Sequence, residues 1–130
     1  MPHLEANGQT LYYEVHGDGE PLLLVQGLAI DHFGWLAQVP EWSKHYKVVS
    51  FDNRDIGQSS YADGPYEMTN MAEDTLALAD GLGLDTFHLL GLSMGGAIAQ
   101  HIALTAPERV RTLTLCVTWG GSGYWGELYG

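Results

Sequence analysis

Basic residues are scarce in this chain. Five Lys and Arg face sixteen Asp and Glu, giving a formal net charge of −11. Nucleic-acid affinity rests largely on cations set against phosphate, so the balance argues against such a partner. The same acidic field disfavours strongly anionic substrates, and a neutral one fits better. Cysteine is scarcer still. Cys116 stands alone, so no intrachain disulfide can form and a reducing compartment fits. No apolar run approaches the roughly 20 residues that cross a bilayer, and no membrane partner is expected. The opening Met1-Pro2-His3-Leu4-Glu5 carries neither a basic stretch nor an apolar signal core, so a cytoplasmic location is expected.

What is present suits one domain. The 130 residues are 45 % apolar, enough for a core that folds alone. Segments 2–6 and 10–15 alternate and meet at Asn7-Gly8, a strong hairpin signal. Segment 22–25 is continuously apolar, as expected of a strand covered on both faces. A helix is predicted over 32–43, a buried strand over 46–51, and a polar, Gly-rich loop over 52–65. A second helix is predicted over 70–82, with Asn70 as its cap and Glu73 three residues on. A strand over 86–90, a helix over 94–106 stopped by Pro107, and a strand over 111–118 complete the pattern. Alternation of strand and helix calls for a parallel sheet covered by helices, the α/β class.

The most informative stretch is Leu89-Leu90-Gly91-Leu92-Ser93-Met94-Gly95-Gly96. An apolar run gives way within a few residues to an Ala-rich helix, with Ser93 flanked by Gly91 and Gly95. This Gly-x-Ser-x-Gly pattern is that of a nucleophile elbow, which presents a serine on a sharp strand-to-helix turn. A Cβ at 91 or 95 is expected to press on neighbouring backbone, and glycine also tolerates unusual dihedrals. The new helix aims its free N–H groups at the space beside Ser93.

Three blocks in order resemble the α/β-hydrolase superfamily, especially its small serine esterases. They are Val25-Gln26-Gly27-Leu28, then Phe51-Asp52-Asn53-Arg54-Asp55-Ile56-Gly57-Gln58-Ser59, then the elbow, with Ala106-Pro107-Glu108-Arg109-Val110 trailing. The resemblance covers nearly the whole chain but only the first half of the family's fold. The expected domain is therefore 1–130, a three-layer sandwich truncated after the sixth strand, without the lid, the catalytic acid and the catalytic His that members carry later. Many members place His where this chain has Gln26, which leaves the backbone donor of Leu28 intact. The resemblance implies an acyl-enzyme on Ser93, with the Leu28 and Met94 N–H groups forming the oxyanion hole and short neutral carboxylic esters as substrates. It implies no cofactor and no metal, and a serine argues against the branches that use an aspartate nucleophile.

A serine needs a base, and six histidines are candidates. His101 lies about 12 Å along the same helix and His88 about 16 Å back along the strand, both too far. His45 belongs at the opposite end of the sheet, and His3 and His16 belong to the opening hairpin. His32 follows the third strand at its carboxyl end and remains as the candidate base, with Asp31, Asp52 and Asp55 near enough to orient it and Asp55 or Asp52 as the possible acid. The block Asp52 to Asp55 is otherwise expected to brace loops, and Cys116 to pack in the core. Trp119, Tyr124 and Trp125 are expected to approach the site, with Trp119 and Trp125 lining a substrate pocket. The alternative reading is a catalytically weak fold that binds a small ligand or a protein. Finally, 112–118 is β-branched and apolar, without charge or proline, so it is expected to form an open edge that joins copies into a homo-oligomer, a dimer or higher.

Overall fold

The computed structural model describes residues 2–118. Strands β1 (His3–Ala6) and β2 (Gln9–His16) form the opening hairpin. Asn7 and Gly8 both hold positive φ (53° and 79°), the turn whose twist suits paired strands. Strands β3 (Pro21–Val25), β4 (Lys47–Phe51), β5 (Phe87–Leu92) and β6 (Val110–Cys116) complete one six-stranded sheet in the order β1-β2-β4-β3-β5-β6. β3 lies parallel between β4 and β5, β6 runs parallel to β5, and β2 joins β4 antiparallel. The predicted α/β class and mostly parallel sheet are those observed.

Side chains on β3 alternate between two cores, as a strand covered on both faces requires. Leu23 and Val25 join Val49, Phe51 and Leu89 under the helices α2 (Met68–Gly81) and α3 (Met94–Thr105). Leu24 joins Val48 and Leu90 on the other face, under Trp35, Val39 and Trp42, and Cys116 packs at the margin of that cluster.

Two helical expectations are corrected. The helix predicted over 32–43 is a 3-10 turn, His32–Trp35, followed by the four-residue α1 (Val39–Trp42). Pro40 sits in the first turn of α1, where its missing N–H costs nothing. A helix continuous from 32 would need that N–H to reach Leu36. The second correction concerns the start of α2. Glu67, directly before Met68, is the cap, and Asn70 holds the third helical position: the Glu67 N–H donates to Asn70 Oδ1 at 2.8 Å, and the Glu67 side chain accepts from the Asn70 backbone N–H. The capping box is present with its two roles exchanged. At the other end, the Gly83 and Leu84 N–H groups donate to Asp80 O and Ala79 O, closing the helix in a Schellman pattern.

β6 is an edge among the described residues, paired only with β5. Leu113 and Leu115 stand exposed along it, and Val117 stands exposed just past its end.

Candidate active site

Ser93 occupies the single residue between β5 and α3, at φ 55° and ψ −119°. A side chain at such angles costs on the order of 1–3 kcal/mol, which the surroundings must sustain. They do so by close packing. A Cβ on Gly91 would lie 2.3 Å from Gly95 O, across the turn as predicted, and one on Gly95 would lie 2.1 Å from Val25 O on β3. The two glycines supply space. Neither has a positive φ, so the unusual dihedrals fall on the serine itself, contrary to expectation. β6 holds the turn from its far side: Ser93 N–H donates to Cys116 O at 2.9 Å, and Thr118 Oγ1 donates to Ser93 O at 2.7 Å. The brace from Thr118 has no signal in the sequence.

The loop after β3 meets the elbow. A Cβ on Gly27 would lie 3.2 Å from Ser93 Cβ, which places the loop backbone directly against the serine. Gln26 is buried and folds onto its own loop, its Oε1 accepting from Gly27 N–H at 2.8 Å. Its backbone carbonyl accepts from Asn53 Nδ2 at 3.3 Å. No hydrogen bond among the described residues uses the N–H of Leu28 or of Met94. Met94 opens α3, so it has no helical acceptor behind it. The loop that carries Leu28 and the start of α3 thus meet at Ser93, and neither the Ser93 hydroxyl nor the N–H groups of Leu28 and Met94 make a hydrogen bond among the described residues.

His32 is at the carboxyl end of β3, as expected, but it faces elsewhere. Its Nδ1–H donates to Asp52 Oδ1 at 2.8 Å. Nε2 lies 3.2 Å from Glu14 Oε2, without hydrogen-bond geometry. No hydrogen bond joins His32 to Ser93 among the described residues, so the expected base is not delivered to the hydroxyl here. The reason is Asp52, which also accepts from the His32 backbone N–H at 2.7 Å and turns the imidazole toward β2. Asp52 thus does orient His32. It is fully buried, and its other oxygen accepts from Gln58 N–H at 2.9 Å, so it braces two loops. Glu14 was invisible as a partner, since it lies on a different strand 18 residues earlier. The Tyr12 hydroxyl donates to it and holds its carboxyl below the usual range.

Asp55 is a loop clamp. Tyr66 OH donates to its Oδ2 at 2.7 Å and Ala62 N–H to its Oδ1 at 2.6 Å, and these bonds depress its pKa, the tyrosine bond most. Asp31 caps the 3-10 turn by accepting from Phe33 N–H at 3.0 Å. Arg54 is bound by both oxygens of Asp74 at 2.7 Å, and Asn7 Nδ2 donates to the same carboxylate at 2.9 Å. Asp74 was not among the residues predicted to serve the site. It lies on the buried face of α2 with Met71 and Leu78, and an acid in that position must be paired. Trp119, Tyr124 and Trp125 lie outside the described residues.

The sequence model of the alpha/beta hydrolase fold matches residues 20–127. The chain belongs to the alpha/beta hydrolase family. Among relatives it is similar to RutD of Azorhizobium caulinodans, which bears the name of a carbamate hydrolase. The two are 36 % identical over 119 residues, covering 92 % of this chain and 45 % of that protein. Among solved structures it is similar to the enol-lactonase from Burkholderia xenovorans LB400, with TM-score 0.87 and 32 % identity over 90 % of this chain and 46 % of that one. It is also similar to a thermophilic esterase from Thermogutta terrifontis, with TM-score 0.88 and 33 % identity over 98 % of this chain and 50 % of that one. The chain spans about half the length of the curated relatives it matches. No helix among its described residues is long and apolar enough to cross a membrane.

Proposed function

We propose that this α/β-hydrolase chain carries the nucleophile and oxyanion hole of a serine hydrolase acting on short neutral carboxylic esters. The observation behind the reading is the backbone of Ser93 at φ 55° and ψ −119°, held by neighbours a Cβ would strike. Strain of this kind at a strand-to-helix turn presents Oγ for attack. Ser93 Oγ adds to the ester carbonyl, the alcohol leaves, and water releases the acid from the acyl-enzyme. The Leu28 and Met94 N–H groups hold the oxyanion, each such donor being worth about 3 kcal/mol in the transition state. The relatives' names support the chemistry, since carbamate, lactone and ester cleavage all transfer an acyl group to water.

No described histidine of the same chain hydrogen-bonds to Ser93 Oγ, so its proton goes to a base supplied from beyond residues 2–118 or by a second copy of the chain. That same observation favours the alternative, a dormant fold that binds a small ligand or a protein. A fluorophosphonate probe separates the two. Covalent labelling lost in Ser93→Ala, together with loss of p-nitrophenyl acetate hydrolysis, supports the hydrolase. An unlabelled Ser93 in a folded chain refutes it. We place the activity with a self-associated chain, in which the open β6 edge pairs with a second copy. A monomer by sedimentation at micromolar concentration overturns that part.

A further inference from the structure

All three methionines beyond Met1 converge on one cavity. Met68 and Met71 come from the first turns of α2, Met94 from the start of α3, and together with Leu28 they line a cavity of about 220 Å³. Two of these four residues are the ones whose N–H groups flank Ser93. Met94, the residue after Ser93, thus sets one wall of the cavity next to the elbow. Met71 is buried, while Met68 and Met94 are half-buried and pack against the main core.

We infer that this cavity receives the acyl group carried on Ser93 and favours short acyl chains. The inference rests on the hydrolase reading above. Its size is below the roughly 300 Å³ at which pockets for drug-sized ligands begin. It holds the volume of about seven waters, and a methylene takes roughly the space of one water, so a chain of about four to six carbons fits. Thioethers suit such a chain, because they are unbranched, polarizable and adapt their shape to a flexible apolar guest.

The charged groups at the walls do not ask for a charged guest. Arg54 donates through Nε and Nη2 to the two oxygens of Asp74, and its guanidinium stacks 4.8 Å from the Tyr66 ring. Glu67, at the rim, would repel a carboxylate. The acyl half, rather than the alcohol, takes the cavity because it alone remains on Ser93 after the first step. The alcohol must leave before water can attack.

The test uses the full chain labelled with [methyl-13C]methionine. Methyl hexanoate titrated into the Ser93→Ala form, which cannot turn over, should shift the methyl resonances of Met68, Met71 and Met94 to saturation. Methyl dodecanoate, whose acyl chain exceeds the cavity's capacity, should shift them far less. Met71→Trp, which fills the cavity, should weaken methyl hexanoate at least tenfold. Met68→Phe, at the half-buried end of α2, serves if Met71→Trp does not fold. The unmodified chain is then treated with a hexylphosphonofluoridate. The Ser93 Oγ–P bond forms, the P–F bond breaks, fluoride leaves and the proton goes to solvent, while the hexyl arm stays. Shifted methionines after this reaction assign the cavity to the acyl half. A phosphonylated Ser93 with unmoved methionines overturns the inference and leaves the nucleophile standing. An unreactive Ser93 overturns the hydrolase reading instead, and the ester titration then decides the cavity alone: unmoved methionines overturn it.

Discussion

Removing the side chain of Ser93 altogether should make the protein more stable. At φ 55° and ψ −119° a residue with a Cβ is strained by on the order of 1–3 kcal/mol, whereas glycine adopts these angles freely. Against that relief stands the extra backbone entropy glycine loses on folding, about 0.5–1 kcal/mol. The Ser93 hydroxyl makes no hydrogen bond among the described residues, so its loss subtracts little. The net expectation for Ser93→Gly is a gain of about 1 kcal/mol. For a chain of this length that is a rise of about 4 °C in melting temperature. Ser93→Ala is the control, because it removes the hydroxyl and keeps the Cβ. It should lie within about 0.5 kcal/mol of the parent, as surface substitutions usually do. Urea denaturation of the three proteins, with circular dichroism at a common temperature, gives the comparison. If Ser93→Gly is no more stable than Ser93→Ala, the elbow stores no strain, and the argument from its dihedrals fails.

Gly95→Ala should destabilise by at least about 2 kcal/mol, because its Cβ would meet the Val25 carbonyl, a backbone atom that cannot swing aside; the same denaturation assay measures it. Asp74→Asn should cost about 3–5 kcal/mol by leaving the buried Arg54 guanidinium uncompensated, and a loss under 1 kcal/mol would mean that water reaches that pair. Asp55 and Glu14 have carboxyl pKa values held down by the hydroxyls of Tyr66 and Tyr12 respectively. Their contribution to stability is therefore complete above the unfolded carboxylate range of about 4 and is lost as pH falls through the lower folded values. Tyr66→Phe should flatten the Asp55 part of that acid dependence, seen as a smaller drop in urea midpoint between roughly pH 5 and pH 3, the window in which carboxylates titrate.

Some of this protein is legible because it is local. Asn7-Gly8 fixes a hairpin through the dihedrals of two adjacent residues, and the register from Ala6 and Gln9 follows. The continuous apolar run before Gln26 becomes a central strand because any polar residue there would be buried without a partner. The elbow is readable because its demands are steric and short-range: Gly91 must be bare where Gly95 O passes. The single helix predicted over 32–43 does not form, for a related reason. Its apolar pattern is real and covers the second core, but one missing N–H at Pro40 outweighs the pattern. The exchanged cap at Glu67 shows the same limit, since Asn and Glu three residues apart can serve either role. Other features were decided only by the folded chain. The sequence places His32 at the right end of the sheet, yet its direction depends on Asp52, just past the end of β4, and on Glu14 of β2. The pairing of Arg54 with Asp74 joins a loop to a helix 20 residues away. The convergence of Met68, Met71 and Met94 needs α2 and α3 to pack before it exists. Backbone sterics act over a few residues and can be read in order along the chain, whereas the partners of a charged or apolar side chain are chosen by packing, which sequence order does not encode.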